Sequence, residues 1–304
     1  MRVSTGNYNR LMVQVMQNTM ADLARTSDQL ATGKRILQPS DDAVDAVKIL
    51  RLNNELNAIG QYENNISSAR GWLQQQDVLF GGMNDLLMRS RDILLEAGNG
   101  SRSNADLATI ADELSSLNEA LLSQANHRTA DGQYLFSGTT TTQEPFMLVA
   151  GDYLYNGNSL HREVEVNGST TVQLTQPGDA LFVDAAAIAP LPDTIFDALA
   201  AAVTELNTPT ANLDTVVAES IIWIDNTMER IGSAQTRGGS ELNLLDQIGG
   251  SHGDIKLFAQ QLTSSLENVD FVEATTRLNQ QQVILSASQQ VYANIKNLSL
   301  FNYF

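Results

Sequence analysis

Apolar residues recur every seven positions through the first third of the chain. The repeat has seven members without a gap: Leu52, Ile59, Ile66, Leu73, Phe80, Leu87 and Leu94. Apolar or aromatic residues follow four of them three positions later, at Tyr62, Ala69, Met83 and Ala97, with Gln76 and Ser90 at intervening sites. This spacing predicts one long helix packed in a bundle or coiled coil, ending at Gly98–Gly100, with Ser103 capping the next helix.

The two ends of the chain carry a similar spacing in a more polar form. Near the N-terminus its positions are Met12, Met16, Thr19, Leu23, Thr26 and Leu30; near the C-terminus Phe271, Leu278, Leu285 and Tyr292 alternate with Ala274, Gln281, Ser288 and Ile295. Helices of this kind gain most of their stability from packing. We therefore predict assembly interfaces at Met16, Leu23 and Leu30 on an N-terminal helix, and at Leu278, Leu285 and Tyr292 on a C-terminal helix.

A connector follows the first helix. Gly33 suits the position after a helix end, and Lys34 and Arg35 suit the negative pole of that helix. Pro39 then breaks the helical pattern, which makes Ser40 the predicted N-cap of the next helix.

The paired acids after Ser40 allow two interpretations. Asp41 and Asp42 fit the first turn of a helix, where the dipole favours anions. They also suggest a metal or phosphate site, but a metal needs more oxygen ligands and only Asp45 is close. We favour a structural connector.

The middle of the chain has the signals of β-structure. Asn156-Gly157 and Asn167-Gly168 are hairpin dipeptides, and Tyr134–Phe136 and Ala180–Val183 are further candidate strands. The predicted fold is mainly α, with long terminal helices forming a coiled-coil and helical-bundle core around an inserted β-rich domain. The predicted parts are residues 1–40 (assembly helix and connector), 41–136 (bundle), 137–212 (β-rich insert), 213–262 (bundle) and 263–304 (assembly helix).

Composition narrows the function. The chain has 304 residues and a formal charge of −17, which opposes binding to nucleic acid or to anionic membrane surfaces. It has no cysteine, so thiol chemistry and disulfides are excluded. Its sequence shows neither an apolar run of membrane-spanning length nor the apolar core of a signal peptide, so we expect a soluble chain without membrane insertion that uses another export route.

The residues for catalysis are sparse. The three histidines, His127, His161 and His252, are far apart in sequence and lack metal-ligand spacing. Residues 249–253 match the G-x-S-x-G pattern of serine hydrolases, with Ser251 as the nucleophile. The preceding residues are spaced for a helix rather than a strand, so we interpret this stretch as a glycine-rich link between two helices. We expect no catalytic, cofactor or metal residue.

Several stretches resemble the flagellin superfamily. They are LATGKR (30–35), PSDDA (39–43), YENNISSARGWL (62–73) and SLENVDFVEATTRLNQQQVILSAS (265–288). The start MRVST, the segment ANHRTADGQYLFSG (125–138) and the ending SLFNYF are more similar to members that join hook to filament than to filament flagellins. No family signal covers the insert.

The resemblance implies a structural protein of the bacterial flagellum. It implies a tubular axial assembly by self-association, with the preceding hook-associated protein on the hook side and flagellin on the filament side. It further implies type III export without a cleaved signal, an extracellular location and a cytosolic export chaperone at the C-terminal helix. Filament flagellin, a hydrolase using Ser251 and a coiled-coil signalling protein are the alternatives; the last lacks a membrane span.

Overall fold

The structure, a computed structural model, describes residues 2–98, 103–184 and 193–301. Its helices are α1 (Arg2–Thr32), α2 (Ala43–Ala97), α3 (Asn104–Ala125), α4 (Gly178–Phe182), α5 (Ile195–Asn207), α6 (Leu213–Glu267) and α7 (Phe271–Phe301). Its strands are β1 (Phe146–Val149), β2 (Asp152–Tyr155), β3 (Glu163–Asn167) and β4 (Thr170–Gln173). The predicted mainly α fold is confirmed. Within the described ranges, no helix combines the length and apolarity needed to cross a membrane.

The seven-residue repeat lies on the inner face of α2. Six of its members, from Ile59 to Leu94, are buried, whereas Leu52 near the start of the helix is half-buried. Gln76 and Ser90, the polar positions of the pattern, are buried too, and the Ser90 hydroxyl donates to the Leu86 carbonyl oxygen at 2.9 Å. That bond within the helix lets a hydroxyl occupy an apolar interior.

Helix α3 starts at the predicted cap. Ser103 accepts a hydrogen bond from the Asp106 amide, and the Asp106 carboxylate accepts one from the Ser103 amide. This reciprocal capping box satisfies two backbone donors that a helix start leaves open. Residues 99–102, including part of the predicted α2 terminator, lie outside the described residues.

The chain divides into two compact units. Unit 1 comprises residues 1–58 and 253–304, and unit 2 comprises residues 59–252. Unit 1 has ten Lys and Arg and ten Asp and Glu, so its formal charge is zero. Unit 2 has eight Lys and Arg against 25 Asp and Glu and therefore carries the whole formal charge of −17.

Four phenylalanines form the centre of unit 2. Phe146 on β1 contacts Phe196 of α5 with ring centroids 4.9 Å apart, and both contact Phe182 at the end of α4. Phe136, in the loop after α3, meets Phe182 edge-on at 6.1 Å. All four side chains are at most 1% exposed. This aromatic cluster joins the irregular middle of the chain to the helices.

The strands form two separate antiparallel hairpins. The second forms where it was predicted, but β3 pairs with β4 across Gly168 and Ser169, one residue beyond the predicted Asn167-Gly168, with Val164 opposite Val172. The first hairpin turns elsewhere, because β1 and β2 meet across Ala150 and Gly151, whose φ angles are +58° and +111°. The prediction of a turn at Asn156-Gly157 is therefore wrong; these residues follow β2.

Two further predictions of strands are also wrong. Residues 134–136 form only an isolated bridge at Tyr134, and residues 178–182 form the short helix α4. Helix α5, which the sequence analysis missed, starts at the N-cap Thr194 and buries Leu199 and Ala202. The middle of the chain is thus a mixture of two hairpins and two helices, because burial of its phenylalanines outweighs the strand preference of these segments.

We expect the α2 repeat to determine the stability of unit 2. Leu87→Ala removes a side chain that is 0% exposed, so it should lower the free energy of unfolding by about 2–5 kcal/mol. The neighbouring residue Met88 is 46% exposed, and Met88→Ala should change it by no more than about 0.5 kcal/mol. Urea denaturation of both variants tests this. Equal losses of unfolding free energy would contradict the placement of the repeat on the buried face of α2.

Candidate assembly site

The chain ends form a helix pair in unit 1. Helix α1 packs against α7. On α1 the less exposed positions include Met12, Met16, Leu23 and Leu30, and on α7 they include Ala274, Leu278, Leu285 and Tyr292, with Ala274 fully buried. Both sets keep the three- and four-residue spacing of a coiled-coil seam. The spacing indicates that the two seams face each other within one chain.

Six of these seam residues are the ones predicted as assembly interfaces. Sequence analysis assigned Met16, Leu23, Leu30, Leu278, Leu285 and Tyr292 to contacts with neighbouring subunits. In the structure they are half-buried in the pair formed by the chain's own ends. Periodicity identifies the apolar face of a helix but does not identify what covers it.

Other apolar side chains of the helix pair stay open. On α1, Tyr8, Leu11 and Val15 are 41%, 60% and 39% exposed and share a face by their spacing. On α7, Val283 and Val291 are 67% and 40% exposed. We call these five residues the outer stripes. They are part of the apolar surface that the pairing of α1 and α7 leaves exposed in the described chain.

The connector after α1 binds the short segment between α6 and α7, which we call the second connector. The Val269 amide donates to the Gly33 carbonyl oxygen at 2.9 Å, and the Arg35 amide donates to the Glu267 carbonyl oxygen at 2.6 Å. Lys34 and Asn268 form an antiparallel bridge between them. We call this contact the connector bridge. Gly33 occupies the predicted position after α1 with φ +73°, a conformation that costs other residues about 1–2 kcal/mol.

The basic pair after Gly33 holds the connectors together. Lys34 Nζ lies 2.5 Å from Glu267 Oε1. The Arg35 guanidinium donates to Asp42 at 3.2 Å, to Asp45 at 2.7 Å and to the Leu266 carbonyl oxygen at 3.0 Å. The sequence analysis placed Lys34 and Arg35 at the α1 dipole; the structure gives them partners on α2 and α6 instead.

The cap of α2 is Asp42 rather than Ser40. Helix α2 begins at Ala43, and the Asp42 side chain accepts from the Asp45 amide at 3.1 Å. Ser40 lies in the preceding turn, so its prediction as the N-cap is wrong. Asp41 lies outside the first helical turn and accepts hydrogen bonds from the Leu37 and Gln38 amides. Asp42 thus takes the capping role predicted for Ser40, and the prediction that Asp41 and Asp42 lie in the first turn of the helix is wrong.

The acids of the connector already have cationic partners. Arg25 lies 2.7 Å from Asp41, and Lys48 lies 3.0 Å from Asp45, which also takes Arg35. The pKa of the Asp41 carboxyl is lowered, first by the Gln38 and Leu37 amides and then by Arg25. The pKa of Asp45 is lowered by Lys48 and Arg35. Among the described residues, no group of three or more acids or histidines could hold a metal ion.

The G-x-S-x-G stretch lies inside a helix. Helix α6 runs unbroken from Leu213 to Glu267, so the predicted glycine-rich link between two helices is wrong. Ser251 is an exposed residue of this helix. Its neighbour His252 is buried, and its Nε2 lies 2.8 Å from the Val166 carbonyl oxygen. Because a carbonyl only accepts, Nε2 carries the proton and donates it to this bond. A nucleophile elbow needs a strand before the serine, and α6 puts a helix at this position.

We predict a pH dependence in the connector. Because the folded pKa of Asp41 is below the unfolded value of about 3.9, its carboxylate stabilises the connector at neutral pH, and this effect is lost as pH falls through the folded pKa. The Leu37 and Gln38 amide resonances should therefore titrate with a midpoint below about 3.9. Asp41→Asn should abolish the titration; a midpoint at or above the unfolded value would contradict it.

Comparisons with known proteins show which proteins the chain is similar to. Residues 3–141 match the model of the bacterial flagellin N-terminal helical region. The chain is 26% identical over 316 residues to flagellar hook-associated protein 3 of Escherichia coli (strain K12), covering 99% of each chain. It is 31% identical over 142 residues to polar flagellin A of Vibrio parahaemolyticus, covering 45% of this chain and 37% of that protein.

The fold of a solved structure agrees with these relationships. A provisionally assigned flagellar hook-associated protein from Vibrio parahaemolyticus superposes with a TM-score of 0.69 and 29% identity. The match covers 75% of this chain and all of that one. The resemblance to the flagellin superfamily is therefore confirmed. It extends over the whole chain for the hook-associated relative, whereas polar flagellin A matches less than half of it.

Proposed function

We propose that this chain, a relative of the flagellins, is an axial structural component of the bacterial flagellum that joins the hook to the filament. The observation that carries this proposal is the full-length similarity to a hook-associated protein. The open apolar stripes of α1 and α7 support it physically. A helix pair that leaves Leu11 60% and Val283 67% exposed needs another surface to cover them.

The α1–α7 pair acts as the assembly element in this proposal. Met16, Leu23 and Leu30 pack toward Leu278, Leu285 and Tyr292 to keep the pair closed, and the outer stripes meet neighbouring subunits. The zero formal charge of unit 1 favours such contacts, because copies approaching through unit 1 meet no net repulsion there.

The partners follow from the position between hook and filament. The preceding hook-associated protein binds on the hook side, flagellin binds on the filament side, and copies of this chain associate laterally. A cytosolic export chaperone holds the C-terminal helix before the chain leaves through the flagellar type III system, without a cleaved signal peptide. The protein then resides in the extracellular part of the flagellum.

The alternatives are less well supported. Polar flagellin A, a filament protein, matches less than half of the chain. A hydrolase using Ser251 would need a strand ahead of this serine, where α6 is helical. We therefore assign no catalytic role to any residue.

A deletion strain separates a junction protein from filament flagellin. Loss of a junction protein should leave hooks without filaments and release flagellin into the medium, because flagellin is exported but cannot be retained. Electron microscopy of hooks and quantification of flagellin in the medium give the result. A strain with bare hooks and no released flagellin would indicate that the chain is the filament subunit.

A charge on an outer stripe should separate folding from assembly. Val283 is 67% exposed in the single chain, so Val283→Glu should leave its helical signal and melting unchanged. In the assembly the carboxylate would be buried without a partner, at a cost of several kcal/mol, so filaments should be lost. The control Val78→Glu places the same charge at a 74% exposed site in unit 2. Normal filaments with Val283→Glu would refute the role of this stripe.

A further inference from the structure

Unit 2 contains a groove whose charge is opposite to that of its surroundings. The groove has a volume of about 290 Å³ and lies between the segment around α4 and the middle of α6. Its lining includes three basic side chains, His161, Arg230 and Arg237, and one acid, Glu229. In a unit with 25 acids and eight Lys and Arg, this concentration of basic groups in one concavity is distinctive.

The hydrogen bonds of the two arginines differ. Arg230 is committed to the protein: its guanidinium donates to the Val183 carbonyl oxygen at 2.6 Å and lies 3.8 Å from Asp184. Among the described residues, the Arg237 guanidinium makes a single hydrogen bond, a long one of 3.4 Å to the neutral Gln176 amide oxygen. An arginine has five N–H donors, so most of those of Arg237 are available to a ligand.

The other described arginines of unit 2 are engaged. Arg70, Arg89 and Arg91 form ion pairs with Asp246, Glu113 and Asp225. Arg128 and Arg162 lie over the rings of Tyr134 and Trp72, at 5.6 and 4.9 Å from the centroids. Arg237 therefore stands apart as an exposed guanidinium that has neither a carboxylate in hydrogen-bonding contact nor a ring.

The acid nearest to Arg237 along α6, Glu241, accepts no hydrogen bond from it within the described residues. Glu241 lies one turn further along α6, and no hydrogen bond or ion pair joins the two in the described chain. Burial raises the pKa of the Glu241 carboxyl, and Arg237 acts in the opposite direction. Glu241 therefore leaves the guanidinium of Arg237 without a carboxylate acceptor in the described chain.

We propose that the groove binds a carboxylate side chain from a second copy of this chain, with Arg237 as the bidentate donor. The planar guanidinium fork matches the two oxygens of a carboxylate. Arg230 adds positive potential, and the Gln176 side chain, which is 8% exposed, accepts the long hydrogen bond from Arg237. The acidic surface of unit 2 supplies carboxylates on every copy.

The occupant follows from the proposed function, on which this inference rests. In an axial assembly the units 2 of neighbouring copies repel each other through their like charges. A carboxylate of one copy that binds in the basic groove of its neighbour replaces part of this repulsion with an attraction, and this attraction requires a defined orientation. An exposed pair of this kind is weak, so one carboxylate binds with low affinity in dilute solution, and assembly strengthens the contact because it raises the effective concentration of the acid.

The first test measures carboxylate binding by the isolated full-length chain. Ser233, an exposed residue of the groove lining, is changed to cysteine (Ser233→Cys) and labelled with a fluorophore, which is specific because the chain has no other cysteine. A pentaglutamate peptide is then titrated. Arg237→Gln should weaken binding at least tenfold, whereas Arg89→Gln, which removes the same charge from a Glu113 ion pair, should not. Absent binding, or equal binding by all variants, would overturn the proposal.

The second test identifies the source of the carboxylate. The Ser233→Cys variant carries a benzophenone crosslinker at the introduced thiol in flagella assembled in cells. We expect a crosslinked dimer of this chain that joins the groove to an acidic segment of unit 2, and adding Arg237→Gln should reduce it at least fivefold. Crosslinks that go only to another protein, or dimers unaffected by Arg237→Gln, would refute the inference.

Failure of this inference can be distinguished from failure of the proposed function. The deletion phenotype tests whether the chain joins hook to filament, and peptide binding uses the isolated protein. If the deletion phenotype is that of a junction protein but Arg237→Gln changes neither peptide binding nor crosslinking, the proposed role of the groove is refuted and the proposed function is not.

Discussion

Unit 1 depends on the contact that holds the two ends of the chain in register. Helices α1 and α7 lie at opposite ends of the sequence, and their facing seams are diluted by threonine, glutamine and serine. Such seams hold a helix pair weakly, and a shift by one position would turn their few apolar residues away from the partner. The connector bridge sets this register through the backbone bonds between Gly33 and Val269 and between Arg35 and Glu267.

Side chains reinforce the backbone bonds of the connector bridge. Arg35 alone joins the first turn of α2 to the end of α6, and its charge meets the carboxylates of Asp42 and Asp45. These side chains are exposed enough for each ion pair to contribute little by itself. Their common feature is that one guanidinium contacts both the start of α2 and the end of α6.

Sequence analysis identified the helices of this fold better than their surroundings. The α2 repeat was predictable because seven positions with one spacing define a buried face, and Gly33 was predictable because a helix end favours a residue with positive φ. The first hairpin was missed because its turn uses Ala150 in a strained conformation, while the better dipeptide Asn156-Gly157 lies unused next to it. The other two errors concern the start of one helix and the interior of another. Asp42 replaces Ser40 as the cap of α2 because the connector places it at the helix start, and residues 249–253 stay helical within α6 despite their glycines.

The groove around Arg237 was also beyond sequence reasoning, because its basic residues are separated by up to 76 positions, from 161 to 237, and only the fold gathers them.

The distribution of charge relates stability of the single chain to its association. Unit 1 exposes apolar stripes at zero formal charge, a combination that promotes association, whereas unit 2 carries −17, which promotes repulsion between copies. Random contacts between chains are therefore opposed by a charge that does not depend on orientation. In the proposed assembly, contacts that bury the outer stripes gain apolar area that offsets part of this repulsion, and the proposed site at Arg237 offsets more of it in one orientation. The role that follows for the acidic unit in this proposal is to favour ordered assembly over random association.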